Sequence, residues 1–215
     1  MFVGHYSAAL AAKAVGPRIP LAALFLAVQL VDVAWTLLVL LGVERVRIVP
    51  GLTASSPLDL VYMPFTHSLP AALLWGAAAG LAWRRIVGGD ARAAWLVAAA
   101  VGSHWLLDFL VHRPDLPLWG DSAKVGLGLW DHRTLALALE LGLVAAAAAL
   151  LWRRVPAARA YVPWLCAGLA VLQLASLFGP VPGSPQAFVA TALALFLGVA
   201  AAAHWLEVRA PRWPS

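Results

Sequence analysis

The sequence predicts an all-α protein, a polytopic transmembrane bundle of about six spans preceded by a short N-terminal helix that can be re-entrant. Two observations predict it. Of the 215 residues, 63% are hydrophobic and only 12% are charged, whereas about a quarter of a soluble domain is charged. The apolar residues also form runs of membrane-spanning length, separated by short segments rich in Pro, Gly and Arg. A water-soluble fold of this length could not bury so much apolar surface, so the solvent is lipid.

The elements follow from these runs. We place the N-terminal helix at 4–15 and the spans at 21–42, 66–87, 91–112, 131–152, 161–179 and 186–207. Residues 43–65 and 113–130 are predicted loops, because both are broken by Pro and Gly. We treat 1–215 as one membrane domain, in which 1–112 carry the candidate site, 113–130 form a periplasmic-side loop and 131–215 supply supporting spans.

The basic residues indicate an orientation. The net charge is +5, and the larger basic set falls on one side of the spans: Lys13, Arg18, Arg84, Arg85, Arg92, Arg153, Arg154, Arg159, Arg209 and Arg212. The smaller set falls on the other side: Arg45, Arg47, Arg113, Lys124 and Arg133. The larger set predicts the cytoplasmic face of an inner membrane, with both termini cytoplasmic. No basic stripe alternates with aromatic residues, which argues against nucleic acid as a partner. The single cysteine, Cys166, cannot form an internal disulfide.

Ionisable side chains inside membrane segments are costly, and each needs a reason. The first four predicted spans hold six of them: Asp32, His67, His104, Asp108, His112 and Glu140. The fifth span has none, and the sixth has His204 and Glu207 near its end, where interfacial exposure suffices. The working part is therefore predicted in the first two thirds of the chain.

The third span carries the densest pattern. His104, Asp108 and His112 are spaced by four residues and lie along one helix face. A histidine and a carboxylate at this spacing can coordinate one cation, although a His–Asp hydrogen bond between helices is the simpler alternative. His112 lies about 12 Å along the axis from His104, so a straight helix does not offer both to one metal.

Two tight turns bring other segments to this level. The turn at 88–90 makes an antiparallel hairpin that sets His67 beside Asp108, and the turn at 16–19 sets His5 opposite Asp32. Taken singly, His5 could be a residue at a frayed terminus, and His67 an interfacial residue behind an N-cap formed by Thr66. Taken together, His5, Asp32, His67, His104 and Asp108 share one layer. Three histidines and two carboxylates suit zinc or a di-metal centre better than calcium, which prefers oxygen ligands alone.

A family resemblance rests on four segments in order: GHYSAALA, FLAVQLVD, FTHSL and GSHWLLDFLVH. The chain resembles the bacterial inner-membrane-associated metal-dependent hydrolases named for LexA binding, and the motif order is similar to that of zinc-dependent phospholipase C. The resemblance covers roughly residues 4–112. It implies the same five metal ligands. The expected metal is Zn²⁺, with Mn²⁺ or Fe²⁺ as alternatives. Val31 stands where the pattern prefers proline, and many members have a second aspartate beside Asp32.

The expected function is a membrane-embedded metal-dependent hydrolase that attacks a phosphate ester of a lipid-like substrate through a metal-activated water. Asp108 and Glu140 are the candidate bases, His112 is a candidate proton donor, and His112 and Arg113 are candidate phosphate-binding residues. A small transporter with an intramembrane His/Asp ion path and a non-catalytic protein with a structural metal remain alternatives, and a homo-oligomer stays open. Asp115, Asp121 and Asp131 are interpreted as solvated loop residues.

Overall fold

The computed structural model describes residues 1–210. Arg212, a member of the predicted cytoplasmic set, lies outside the described residues. The chain is 69% helical. The α-helices are Tyr6–Val15 (α1), Leu21–Val28 (α2), Leu30–Leu40 (α3), Leu69–Ala82 (α4), Ala91–Val111 (α5), Arg133–Arg154 (α6), Val162–Phe178 (α7) and Pro185–Arg209 (α8). The predicted N-terminal helix is present as α1, preceded by a 3₁₀ turn at Val3–His5.

Three helices within residues 1–210 are long and apolar enough to cross a membrane, namely α5, α6 and α8. The pair α2 and α3 makes a fourth candidate if it counts as one broken span, since the two helices are bent by 53°. This is compatible with a membrane protein. The prediction of six spans is not supported, because α4 has 14 residues and α7 has 17, whereas a span needs about 20.

The discrepancy arises because hydropathy does not show where a helix stops. The predicted span 66–87 begins before the N-cap Ser68 and ends in a π-helical turn at Trp83–Val87. The predicted span 21–42 is broken at Gln29, whose φ of −102° and ψ of 2° leave the helical range. The break leaves the main-chain carbonyl of Val28, at the end of α2, free to bind a side chain.

The two predicted loops are β-hairpins, so the all-α prediction needs correction. Arg45–Ile48 (β1) pairs antiparallel with Leu58–Tyr62 (β2), and Leu116–Trp119 (β3) pairs antiparallel with Ser122–Val125 (β4). The second hairpin turns at Gly120, whose φ of +54° suits the first central position of a two-residue turn. Their strands are too short for a sequence pattern to separate them from loop.

The contact between α4 and α5 positions the site. Gly76 and Gly80 face α5, and a Cβ at either position would lie within 3.0 Å of a main-chain oxygen, that of Ala98 or that of Ala94. Small residues at this four-residue spacing let helix backbones approach closely in lipid. The hairpin therefore closes tightly from the turn at 88–90, as its short connection predicts, and brings the start of α4 beside the end of α5.

The opposite end of the bundle holds a buried ion pair. Lys13, at the end of α1, donates to the carbonyls of Pro17 and Ile19 at 2.6 and 2.7 Å and lies 2.5 Å from Glu207 Oε1. Glu207 also accepts from the main-chain N–H of Leu21 at 2.7 Å. This polar cluster joins α1, α2 and α8. The expectation that Glu207 needs only interfacial exposure understates its role.

Candidate metal centre

Side chains from four segments converge near the end of α5 that lies beneath the hairpins. His5 comes from the N-terminal turn, Asp32 from the first turn of α3, His67 from the residue before the N-cap of α4, and His104 and Asp108 from α5. His5, His67, His104 and Asp108 are buried, and the Asp32 side chain is 15% exposed. The predicted juxtaposition is therefore present. Whether these residues bind a metal stays a prediction.

Two histidine nitrogens lie between the carboxylates of Asp32 and Asp108. His67 Nε2 lies 3.3 Å from Asp32 Oδ1 and 3.7 Å from Asp108 Oδ2. His104 Nε2 lies 3.5 Å from Asp32 Oδ1 and 3.1 Å from Asp108 Oδ2. Ligand atoms about 2.0 Å from a tetrahedral zinc lie roughly 3.3 Å from one another. The four separations lie near this value, and Asp32, His67 and His104 offer ligand atoms that all lie within 4.8 Å of one another, so the buried His/Asp group could hold a metal ion.

Unsatisfied nitrogens support this fit. His5 Nε2 and His104 Nε2 are buried and have no hydrogen-bond partner among residues 1–210, although each lies close to Asp108. Their lone pairs are therefore not used by ordinary hydrogen bonds. Buried polar atoms are normally satisfied, and an orphan needs an explanation such as an ion. His5 also stacks on His104, with ring centroids 3.8 Å apart and an interplanar angle of 6°.

The second oxygen of Asp108 faces a different set of groups. His5 Nε2 lies 3.2 Å and His112 Nε2 lies 3.6 Å from Oδ1, which also contacts the amino group of Met1. His5, His104 and Asp108 form a second group whose ligand atoms all lie within 4.8 Å of one another. Asp108 thus directs Oδ2 toward His67 and His104, and Oδ1 toward His5 and His112. His104 belongs to both groups of potential ligands, the one with Asp32 and His67 and the one with His5 and Asp108.

The break between α2 and α3 orients His104. The Nδ1 atom of His104 lies 2.9 Å from the carbonyl oxygen of Val28. A carbonyl oxygen can only accept, so Nδ1 carries the proton and Nε2 is left as a lone-pair donor facing the two aspartates. The 53° bend thus provides both the acceptor that fixes His104 and the helix start that carries Asp32.

A longer relay orients His67. Its Nδ1 lies 2.8 Å from Thr66 Oγ1, and the Thr66 hydroxyl lies 2.6 Å from Glu44 Oε2. Glu44 also accepts from the main-chain N–H groups of Phe65 and Thr66. A carboxylate can only accept, so Thr66 donates its single proton to Glu44 and accepts from His67 Nδ1–H. Burial raises the pKa of the Glu44 carboxyl above its ordinary value, and the donated hydrogen bonds act in the opposite direction.

Thr66 therefore has a different role from the N-cap suggested by its position. Ser68 caps α4 by accepting from the main-chain N–H of Ala71 at 3.3 Å. Thr66 instead connects Glu44 to His67. Partners of this kind fix the tautomer and ring orientation of a ligating histidine, and their loss typically costs 10- to 100-fold in metal affinity.

His112 is held in the same way. Its Nδ1 lies 2.9 Å from Asp115 Oδ1, and its Nε2 points toward Asp108. Asp115 is buried, so its interpretation as a solvated loop residue is wrong; the turn after α5 folds it back under His112. Arg113, a candidate phosphate-binding residue, is paired with Asp59 and with Asp115. Asp121 and Asp131 are exposed, as expected.

Glu140 lies on α6 with its carboxylate facing the N-terminal segment. Its Oε2 accepts from the main-chain N–H groups of Phe2 and Gly4 at 2.9 and 3.0 Å. The side chain is buried and lines the same cavity as Asp32, His67, Asp108 and His112. Its predicted catalytic role is compatible with this position, but these contacts also give it a structural one.

The cavity connects the cluster to apolar surroundings. Its volume is about 370 Å³. Its polar end is formed by Asp32, His67, Asp108, His112 and Glu140, and its walls include Leu172, Leu177, Phe188, Leu195 and Phe196. His5 and His104 lie behind this surface and do not line the cavity. A small molecule in the cavity would meet both the charged cluster and a hydrocarbon wall.

The relay gives a direct prediction. Thr66→Val keeps the shape of the side chain but removes the hydroxyl, so His67 loses the acceptor that fixes its tautomer. We expect zinc affinity to fall roughly 10- to 100-fold, measured by competition with a chromophoric chelator. Thr36→Val is the matched control, because Thr36 is equally buried near Asp32 but bonds only the carbonyl of Val33. Equal affinities in the two variants would contradict the relay.

Sequence reasoning missed Glu44, Thr66 and Asp115 as positioning residues. Thr66-His67 was visible as a pair, but the partner of the threonine lies 22 residues away. Asp115 follows His112 by three residues, and that spacing was the only local signal. Comparison of the chain with protein-family models, with curated proteins and with solved structures finds no match.

Proposed function

We propose that the protein is a membrane-embedded metal-dependent hydrolase that cleaves a phosphate ester of an amphiphilic substrate. One observation carries the proposal: buried His and Asp ligand atoms lie 3.1–3.7 Å from one another across four pairs, at the polar end of a cavity with apolar walls. Such a pairing of metal ligands and hydrocarbon surface suits a substrate with a polar reacting group and an apolar body.

The ligand set is the one expected of zinc. His67 Nε2, His104 Nε2, Asp32 Oδ1 and Asp108 Oδ2 would hold the ion, with His5 and His112 beside the other Asp108 oxygen. When bound, a divalent metal supplies a Lewis acid and lowers the pKa of a coordinated water. Mixed imidazole and carboxylate ligands also accept Mn²⁺ or Fe²⁺, so we propose zinc first.

The remaining residues take roles that fit their contacts. Asp108 faces histidines with both oxygens, which favours it as a ligand over a general base. Glu140 lines the cavity, and its hydrogen bonds use Oε2, so Oε1 is the atom we propose to accept a proton from water. His112, held by Asp115, is the proposed proton donor to the leaving group.

Two further expectations, about the family and the membrane, are part of the proposal. The resemblance of residues 4–112 to the inner-membrane hydrolases named for LexA binding supports the same ligand set. The charge bias supports an inner membrane with both termini cytoplasmic. The basic residues of the larger set cluster at the α4–α5 and α6–α7 connections, at the end of the bundle opposite the hairpins.

A structural metal is the second candidate. If Asp32, His67, His104 and Asp108 all bound one zinc, the site would be closed, whereas catalytic zinc keeps a position for water. An ion path has less support, because the half of the bundle beyond His104 is filled by a buried apolar cluster that includes Leu10, Leu24, Phe25 and Val101.

The decisive experiment is metal-dependent hydrolysis. The purified protein is stripped with a chelator, reloaded with Zn²⁺, Mn²⁺ or Fe²⁺, and assayed on phospholipids and lipid-linked phosphates. We expect activity only in the loaded protein. Glu140→Gln keeps an acceptor oxygen for Phe2 and Gly4 but removes the base, so kcat should fall roughly 10²- to 10⁴-fold at unchanged metal content.

Glu207→Gln is the control for that variant, since Glu207 is a glutamate of the opposite end of the bundle. Its activity per folded molecule should equal that of the parent. Stoichiometric metal without hydrolysis of any tested phosphate ester would favour the structural metal. No metal in the parent, even after reloading, would eliminate both candidates.

A further inference from the structure

The helices α7 and α8 are neighbours in the chain but not in packing. A short segment, 179–184, connects them. Yet α7 packs mainly on α6, while α8 packs on α2 and α3, and within the described chain α7 and α8 share almost no contacts. Helices joined by short connections normally pack against each other. The space between this pair is therefore an unusual feature of the fold.

The cavity of the metal centre fills this space. Leu172 and Ser176 of α7 form one wall, and Thr191, Ala192 and Phe196 of α8 form the other. We call this space the α7–α8 cleft. The cleft is continuous with the polar end at Asp108 and His67, because the same cavity contains both. A molecule lying in the cleft can thus reach the metal ligands with one end.

The cleft reaches the outer surface of the bundle. Leu195 lines the cavity and is 37% exposed, and Thr191 is also exposed. The surface on either side is apolar: Val171 and Phe178 of α7 and Leu197 of α8 are exposed. In a bilayer such a surface faces lipid tails. The cleft therefore opens to hydrocarbon.

The water-facing side of the cavity is covered. The Ser55 main-chain N–H donates to the Trp130 carbonyl at 2.9 Å, and Arg133 Nε donates to the Ala54 carbonyl at 2.6 Å. Arg113, just after α5, forms an ion pair with Asp59 of β2. These contacts hold the first hairpin and its loop over the site. The cavity lining among residues 1–210 includes no Lys or Arg, and the Met1 amino group, which also lines it, pairs with Asp108 at the polar end. The cationic group of the cavity therefore lies beside the metal centre and not in the cleft.

We propose that the α7–α8 cleft binds the hydrocarbon tail of the substrate and admits it sideways from the bilayer. The occupant is a single alkyl or polyprenyl chain whose polar end reaches Asp108 and His67. The reaction at that end rests on the function proposed above. Binding of the tail does not, because its walls belong to α7 and α8 and include none of the metal ligands.

Photolabelling tests the tail site without any turnover. The full chain in phosphatidylcholine nanodiscs is exposed to dodecyl phosphate carrying a diazirine near the end of its chain, with and without chelator, and the labelled peptides are mapped. We expect label on 172–176 and 191–196, and competition by plain dodecyl phosphate. Ala192→Trp places an indole in the cleft and should reduce this labelling roughly tenfold, because close-packed walls leave no room for both.

Ala194→Trp is the matched control, since Ala194 is an exposed alanine of the same helix outside the cavity lining. It should leave the labelling unchanged. If Ala192→Trp does not fold, Ser176→Phe narrows the cleft from the opposite wall. Label distributed evenly over exposed leucines of α4, such as Leu74 and Leu81, or insensitive to both cleft variants, would overturn the proposal.

The hydrolytic assay separates the two hypotheses. If the parent cleaves long-chain and short-chain alkyl 4-nitrophenyl phosphates, Ala192→Trp should raise KM for the long-chain substrate alone. Cleft labelling without hydrolysis would support the tail site and contradict the hydrolase. Hydrolysis with label elsewhere would support the hydrolase and contradict the tail site.

Discussion

Replacement of His104 by alanine is expected to remove bound metal from the protein and abolish any metal-dependent activity. His104 is the only histidine of the described chain that belongs to both groups of potential ligands, and its Nε2 is buried without a hydrogen-bond partner among residues 1–210. Zinc held by four protein ligands is bound with roughly 10–16 kcal/mol, or about 3 kcal/mol per ligand. The loss of one ligand then corresponds to at least about a hundredfold weaker binding.

The measurement is elemental analysis of the purified protein together with a chelator titration. His204→Ala is the matched control, because His204 is an exposed histidine on α8 without an ion pair to an acidic residue of residues 1–210. It should retain the metal content of the parent. Near-stoichiometric metal in His104→Ala, with a folded protein, would show that the ion sits elsewhere. Asp108→Asn tests the same centre from the carboxylate, and should weaken metal binding because Asp108 Oδ1 lies 3.2 Å from His5 Nε2 and Oδ2 lies 3.1 Å from His104 Nε2.

The juxtaposition of the five residues could be predicted because it depends on two tight turns. A short turn fixes which residues of an antiparallel helix pair lie level, so His67 follows from Asp108 and His5 follows from Asp32. Side-chain spacing within α5 supplied the rest. The structure places these groups within 3.1–3.7 Å across the cluster.

The parts that could not be predicted depend on contacts distant in sequence or on short local breaks. Gln29 interrupts an apolar run without Pro or Gly, so the bend that frees the Val28 carbonyl has no local signal. Glu44 and Thr66 lie on either side of the β1–β2 hairpin, and the pairing of its strands brings them together. The hairpins themselves contain strands of four or five residues, shorter than a periodic pattern can resolve. Hydropathy counts apolar residues and cannot tell a 14-residue helix with flanking turns from a full span.

Lys13→Met is expected to destabilise the fold strongly while leaving the candidate metal centre intact. The Lys13 side chain is 6% exposed and holds the carbonyls of Pro17 and Ile19 and the carboxylate of Glu207. Its removal leaves Glu207 in a largely buried position with a single main-chain donor, Leu21. Breaking a buried ion pair from one side costs roughly 3–5 kcal/mol of unfolding free energy.

The exposed pair of Lys124 and Asp121 provides the comparison. These groups lie 3.0 Å apart with side chains 28% and 35% exposed, and an exposed pair contributes roughly 0–1 kcal/mol. Unfolding in mixed micelles should therefore show a large loss for Lys13→Met and little for Lys124→Met, with equal metal content per folded molecule. Because the loss arises from uncompensated charge, Lys13→Met/Glu207→Gln should recover part of it. Equal stability of the two single variants would mean that α1, α2 and α8 are held by apolar packing alone.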